Sequence, residues 1–283
     1  MKEIILDTLL DALKLIPFLF VTFLIMEYIE HKFSKKSKNK IEKAGKFGPV
    51  IGSLLGAVPQ CGFSVMATNL YATRIITIGT LISIFLSTSD EMLPILISNG
   101  AKASVIFKIL LIKIIIGMIL GFVIDFILRK KNKNEKYYEI KDFCLEHHCD
   151  CNHGILKSTL KHTLNITLFI TVVTFLLNIG MHYLGEENIG KLFLKDSFFS
   201  PFISSLIGLI PNCASSVVIT ELYLNGVITF ASCISGLLTG SGVALLVLFK
   251  VNKNKNENVF ILLSLYLIGA LSGVVIEVIE MLI

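Results

Sequence analysis

Two short motifs, each a proline followed by an amide residue and a cysteine, are the strongest chemical signals in the sequence. They occupy positions 59–61 and 211–213 and lie inside long apolar stretches. Proline removes a backbone donor and interrupts a helix, and a helix that restarts after it offers a positive N-terminus that favours a thiolate. The candidate ligands at the two breaks are Gln60, Cys61, Asn212 and Cys213.

Two thiolates facing one cavity would bind soft or borderline metal ions or a trivalent metalloid, and the amides would add carbonyl oxygens. The other interpretation is that both cysteines are small packing residues in tight turns, because buried free cysteine is common. Symmetric placement at two breaks favours an ion pathway, since discontinuous helices form the sites of many secondary transporters.

A polar block, Ser-Thr-Ser-Asp-Glu, interrupts another apolar stretch at positions 87–91. Adjacent carboxylates inside a membrane segment are costly and indicate function; with the hydroxyls they could bind a divalent cation or relay protons. The corresponding block at 239–243 has no acid, so the predicted site is asymmetric. The alternative is that these acids lie at the outer membrane interface. The candidate pathway residues in this block are Ser87, Ser89, Asp90 and Glu91.

A polar loop at 144–153 holds three cysteines and three histidines within ten residues. Thiolates and imidazoles together bind Zn(II), Cu(I) or related ions, but the spacing is not that of a zinc finger. We therefore expect a flexible collector or sensor of metal ions; the alternative is a disordered linker with chance cysteines and histidines. The candidate metal ligands are Cys144, His147, His148, Cys149, Cys151 and His153.

The elements that position these residues are membrane helices. The chain has 283 residues, of which 54% are hydrophobic and 17% charged, and its mean hydropathy is +0.77. These values exclude a disordered protein or a disulfide scaffold and disfavour a soluble enzyme. No nucleotide-binding or nucleophile motif occurs, so we expect no catalysis, no tightly bound cofactor and no nucleic-acid partner. The net charge of +5 comes from loops. The predicted class is an all-α polytopic membrane protein.

The sequence repeats itself at a constant offset of 152 positions, which places Pro59 on Pro211 and Cys61 on Cys213. Matched prolines, cysteines and glycines at one offset indicate a duplicated unit. We predict a first membrane half at 1–131, a cytoplasmic loop at 132–154 and a second half at 155–283. Predicted helical segments lie at 4–29, 48–72, 75–99 and 103–129, and at 156–183, 200–224, 227–250 and 257–282.

Loop charges predict the orientation of the two halves in the plasma membrane. The basic loops at 32–46, 129–136 and 250–255 should face the cytoplasm, whereas 184–198, the equivalent of the first, should face outside. The halves would then be an inverted repeat with discontinuous helices and both termini outside. The apolar start of the chain carries charges and no cleavage site, so we expect a retained first helix.

The same repeat aligns two acids and two pairs of glycines. Asp125 precedes Arg129 by one turn, which predicts an exposed ion pair, whereas Glu277 has no such basic neighbour. The Gly-x-x-x-Gly motifs at 117–121 and 269–273 predict close contacts between helices.

These motifs together resemble a bacterial family of ten-transmembrane heavy-metal exporters, also labelled arsenic efflux proteins or manganese transporters. The likeness covers nearly the whole chain and includes 56–62, 87–91, the Cys/His loop and 210–217. It implies export of a metal or metalloid, with manganese and arsenite both among the family's labels. The transport roles it implies would fall on Gln60, Cys61, Asp90, Glu91, Asn212 and Cys213.

The function predicted from the sequence is secondary-active export of a metal or metalloid ion, coupled to protons through the carboxylates. One alternative is a membrane thiol–disulfide electron carrier, in which Cys61 and Cys213 form a reversible disulfide. Another is an anion or neutral-solute permease that uses the positive helix ends at the breaks.

Overall fold

The computed structural model describes residues 47–59, 61–89, 92–131 and 199–282, with scattered helical positions between 13 and 24 and between 159 and 179. Within these ranges the regular elements are all helices, as predicted. The first half contains α1 (Gly48–Gly56), α2 (Cys61–Ala72), α3 (Ile78–Ser87), α4 (Met92–Ser98) and α5 (Ala103–Lys131). The second half contains α6 (Ser200–Gly208), α7 (Cys213–Leu224), α8 (Phe230–Thr239), α9 (Ala244–Val251) and α10 (Lys255–Leu282).

The local sequence explains where several helices begin. Helices α1 and α6 each have a proline in their first turn, where no backbone donor is needed. Helix α3 is capped by Thr77, whose hydroxyl accepts from the Thr80 amide at 3.1 Å. Helix α8 is capped in the same way by Thr229, which accepts from the Ser232 amide at 3.2 Å.

Helices α1 and α3 lie side by side and run in the same direction. Gly48 faces Thr80, Gly52 faces Ser83 and Gly56 faces Ser87, so the two helices stay in register over two turns. A Cβ atom added at Gly52 would lie 2.7 Å from the Ser83 hydroxyl, so a larger residue there would force a neighbour to shift. Small residues thus allow the two backbones to approach closely.

Helix α2 runs back along α3 in the opposite direction. Near its start, Ser64 shares a 2.8 Å hydrogen bond with Thr88, just beyond the end of α3. At its end, the short segment 73–77 leads directly into the start of α3. Helices α1 and α2 therefore form a hairpin whose turn lies level with the end of α3.

Glycines bring α5 against α3, as the Gly-x-x-x-Gly motif predicted. A Cβ atom at Gly117 would lie 2.9 Å from the Ser83 carbonyl, and one at Gly121 would lie 2.7 Å from the Gly79 carbonyl. The second half repeats this packing between α10 and α8, since a Cβ atom at Gly273 would lie 2.7 Å from Ser235 Cβ. The expected close contacts between helices are confirmed in both halves.

The two halves contact each other through equivalent helices. Helix α2 packs on α9, and α7 packs on α4. The Thr68 hydroxyl donates to the Ala244 carbonyl at 3.4 Å across the first of these contacts. The buried core lies where α3 and α8 approach each other, and it includes Phe85, Leu86, Leu237 and Leu238.

Four stretches of the described chain are long and apolar enough to cross a membrane. Two are central, since 75% of an 18-residue apolar window in Ile78–Ser98 and 83% of one in Phe230–Val251 is buried in the protein. In the other two, Ala103–Leu128 and Lys255–Leu282, only 28% of the corresponding window is buried, and large apolar side chains such as Phe126 and Leu271 are exposed. Exposed apolar faces of this length suit contact with lipid.

The expectation that Asp125 is exposed is wrong. Its carboxylate is buried, and it accepts hydrogen bonds from the Thr77 hydroxyl at 2.6 Å and the Gly79 amide at 2.9 Å. Both donors belong to the start of α3, where the amide groups and the helix dipole favour a negative charge. The environment of Asp125 is therefore set by its tertiary contact with α3, which the four-residue spacing to Arg129 did not predict.

Candidate functional site

The end of α3 and the turn after α1 meet through two predicted pathway residues. The Ser87 hydroxyl donates to the carbonyls of Ser83 and Ile84 at 2.9 and 3.1 Å and packs against Gly56. The Ser89 hydroxyl donates to the Ala57 carbonyl at 2.7 Å. Because Ala57 lies two residues before Pro59, the first three residues of the polar block are held against the start of the first proline–cysteine turn.

Thr88 links the same region to α2. Its hydroxyl hydrogen-bonds to Ser64 and donates to the Ile84 carbonyl, each at 2.8 Å, and its side chain is buried. The structure therefore joins the ends of α1 and α3 and the start of α2 through hydroxyl groups. Such groups can satisfy backbone that has left the helix at membrane depth.

The second proline–cysteine motif forms the start of α7. Asn212 is buried in an extended conformation, and its side-chain oxygen accepts from the Ala214 amide at 3.5 Å, which caps the helix. Cys213 is the first residue of α7 and is also buried. A residue in this position lies in the partial positive field of the helix N-terminus, as the sequence predicted.

The second half also holds its hairpin turn against the end of its central helix. The Thr239 hydroxyl, at the end of α8, donates to the Ser205 carbonyl of α6 at 2.9 Å. Gly208, the last residue of α6, packs against Gly236 and Thr239. Thr239 is the equivalent of Ser87, so the two halves use the same contact.

Lys113 is a site residue that the sequence analysis did not identify. It lies in α5 and is only 1% exposed. Its ammonium donates to the Thr88 carbonyl and, at 2.6 Å, to the Leu237 carbonyl of the second half. One signal was available, since an ionisable residue inside a membrane helix is a functional candidate by default.

Tyr71, Arg74 and Glu257 form a second polar contact between the halves, away from the breaks. The Glu257 carboxylate accepts from the Tyr71 hydroxyl at 2.6 Å and from the Arg74 guanidinium at 2.9 Å. Arg74 adopts a left-handed backbone conformation with φ of 60°, and the equivalent residue of the second half is Gly226 with φ of 68°. Nothing in the local sequence predicted this pairing, because it joins residues more than 180 positions apart.

Several predicted site residues lie outside the described residues. They are Gln60, Asp90 and Glu91, together with the loop ligands Cys144, His147, His148, Cys149, Cys151 and His153. Cys61 begins α2, but its side chain is likewise outside the description. Among the residues that are described, no group of three or more His, Cys, Asp or Glu side chains could hold a metal ion.

A family model matches the chain in two overlapping segments. The family is described as "Putative, 10TM heavy-metal exporter", and the segments are residues 1–154 and 134–266. Together they cover most of the chain and include both proline–cysteine motifs and the Cys/His loop. None of the curated proteins and none of the solved structures compared with the chain matches it.

Proposed function

The chain belongs to the family described as putative 10TM heavy-metal exporters, and we infer from this that it exports a metal or metalloid ion as a secondary-active transporter. A family of exporters implies a membrane protein and a metal substrate, and it implies no enzymatic reaction. Manganese, arsenite and other soft or borderline ions are the candidate cargoes, because the candidate ligands combine sulfur with oxygen.

The observation that supports a central location for the site is the meeting of two helix ends at one ammonium group. Thr88 follows the end of α3 and Leu237 lies near the end of α8, and both carbonyls accept from Lys113. Each helix end also holds the hairpin turn of its own half, through Ser89 and Thr239. These contacts support one central site formed by both breaks, the usual location in transporters with broken helices.

An inverted arrangement of the halves is the second part of the proposal. In the first half, Tyr71 lies at the end of the hairpin that leads into the start of α3. Helix α5 places Asp125, which is near its end, against the start of α3. Position 105, the equivalent of Glu257, is near the beginning of α5 and therefore lies at the opposite end of that half. The hydrogen bond between Tyr71 and Glu257 therefore favours halves that run in opposite directions.

The proposed orientation follows from this arrangement and the basic loops. The protein is a multi-pass protein of the plasma membrane, with 32–46, 129–136 and 250–255 in the cytoplasm and both termini outside. Alternating access arises from rocking of one half against the other around the central site.

The proposed pathway combines residues of both halves. The Cys/His loop collects the ion on the cytoplasmic side, and Asp90 and Glu91 couple its export to protons. The remaining proposed pathway residues line the two breaks: Gln60, Cys61, Ser87, Ser89, Asn212 and Cys213.

The decisive experiment is elemental analysis of cells with and without the protein, under a panel that includes Mn(II), arsenite, Zn(II) and copper. We expect cells that make the protein to retain less of at least one element. The combined change Cys61→Ser with Asp90→Asn should abolish that difference, whereas Cys233→Ala, in the buried part of α8, should preserve it. Unchanged contents across the panel would refute export, and full protection by the double variant would refute the site.

The thiol–disulfide carrier makes a different prediction for the same two cysteines. Rapid alkylation of cells followed by mass spectrometry would detect a disulfide between Cys61 and Cys213 during turnover. Under the export proposal no disulfide forms between them in any condition. A permease for anions or neutral solutes would instead tolerate replacement of both cysteines.

A further inference from the structure

Lys113 is a cation buried at the centre of the protein, and its surroundings explain how that is possible. The side chain is 1% exposed and lies in the apolar middle of α5. A buried ammonium is strongly unfavourable unless it donates hydrogen bonds and faces negative charge. Two of its acceptors are backbone carbonyls, one from each half of the chain.

Both carbonyls belong to the C-terminal ends of helices. The last carbonyls of a helix lack intrahelical donors, and together they carry about half a negative charge. The usual donor to Leu237 would be the amide of Ser241, which instead bonds to Thr239 at 2.8 Å. The two ends that converge on the Lys113 ammonium therefore set partial negative charge against it from both halves of the chain.

We propose that this convergence is a built-in cation site, that the Lys113 ammonium occupies it permanently, and that the emptied site binds a free primary alkylammonium ion. In transporters with broken helices, the C-terminal ends of half-helices coordinate a free coupling cation. Here a tethered cation takes that position and joins the two halves without an ion from solution.

The site is asymmetric, although the fold around it is repeated. The equivalent of Lys113 in the second half is Leu265, which is fully buried. One lysine therefore serves both helix ends, and a second one nearby would add like-charge repulsion instead of stability.

Lys113 also acts as a positioning residue for the first hairpin turn. The carbonyl of Thr88 accepts from Lys113, while the hydroxyl of Thr88 bonds to Ser64 of α2. The next residue, Ser89, bonds to Ala57 beside the turn. The ammonium thus fixes the segment that holds the turn in place.

The test compares thermal unfolding of the purified full-length protein and three variants in detergent. Lys113→Ala should lower the midpoint by about 10 °C, because two buried carbonyls lose a charged donor. Millimolar n-propylammonium should restore at least half of that loss. Tetramethylammonium, which carries the charge but no N–H donor, and sodium at equal ionic strength should not.

Two further variants separate the cation site from packing. Lys113→Met fills the same space without charge, so its midpoint should be lower than that of the wild type and should not respond to propylammonium. Lys108→Ala removes an exposed lysine of the same helix, which lies 4.3 Å from the centre of the Phe230 ring, and should change the midpoint little.

Three results would overturn the proposal: Lys113→Met as stable as the wild type, no response of Lys113→Ala to propylammonium, or an equal response to tetramethylammonium. If Lys113→Ala is too unstable to melt, the yield of monodisperse protein solubilised with and without each amine gives the same comparison. The assay involves no transport, so its outcome is independent of whether the protein exports metal.

Discussion

Arg74 shows how a strained residue is held by contacts outside its own segment. A left-handed backbone costs a non-glycine residue about 1 kcal/mol or more. The strain persists because the guanidinium pairs with Glu257 at 2.9 Å and lies 5.3 Å from the centre of the Tyr71 ring. The equivalent turn of the second half has glycine, Gly226, and the first half has Val105 instead of an acid at the position equivalent to Glu257.

Substitutions at Arg74 separate backbone strain from the ion pair. Arg74→Ala loses the ion pair and keeps the strain, whereas Arg74→Gly loses the ion pair and relieves it. We therefore expect Arg74→Gly to be more stable than Arg74→Ala by about 1 kcal/mol, a few degrees in thermal midpoint.

Gly226→Ala is the matched control in the second half. A Cβ atom there would meet nothing within 4 Å, so only the backbone conformation opposes alanine. We expect it to destabilise by about 1 kcal/mol. Equal midpoints for alanine and glycine at position 74 would show that the turn relaxes without strain.

Individual residues were predicted unevenly. Ser87 and Ser89 were identified from their unusual polarity, and the structure places them beside the first proline–cysteine turn. Lys113 was missed because its role depends on carbonyls from two helices distant in sequence. Asp125 was placed wrongly because its local neighbour was weighed above a contact 46 positions away.

At the scale of elements, glycine contacts set the spacing of the helices. We expect Gly121→Ala and Gly273→Ala each to destabilise the protein by about 1–3 kcal/mol, because the added methyl group meets backbone or proline that cannot move away. Circular dichroism of each purified variant during heating measures the effect.

Gly240→Ala is the control for this pair. It lies at the end of α8, and the nearest neighbour to an added Cβ atom there is 3.6 Å away, so the change should be tolerated. If all three variants have the same thermal midpoint, the glycines do not stabilise the protein by allowing the helices to approach closely.

Helix ends were the most predictable part of the fold. The segments predicted at 48–72 and 200–224 coincide with α1–α2 and α6–α7, because proline and glycine mark turns whatever surrounds them. The relative directions of the helices were harder to predict. Only contacts such as that of Gly56 with Ser87 show that α1 and α2 form a hairpin and not one long span.

At the scale of the whole molecule, the proposed inversion is tested by the sidedness of two loops. A short epitope inserted after Lys38 should be labelled by antibody only in permeabilised cells, and one inserted after Glu187 should be labelled in intact spheroplasts. Each insertion is made in the full-length protein, and retained metal resistance shows that it folds. Labelling of both epitopes from the same side would contradict the inversion.

The division into buried and lipid-facing spans has a consequence for biogenesis. The central stretches, Ile78–Ser98 and Phe230–Val251, are less apolar than Ala103–Leu128 and Lys255–Leu282, which cover them. Each central stretch leaves the ribosome first, so the translocon must hold it unshielded while about 30 more residues are synthesised, roughly 2–6 s at bacterial or eukaryotic elongation rates. Slowing elongation just after residue 98 or 251 should therefore reduce the amount of inserted protein without any change in its sequence.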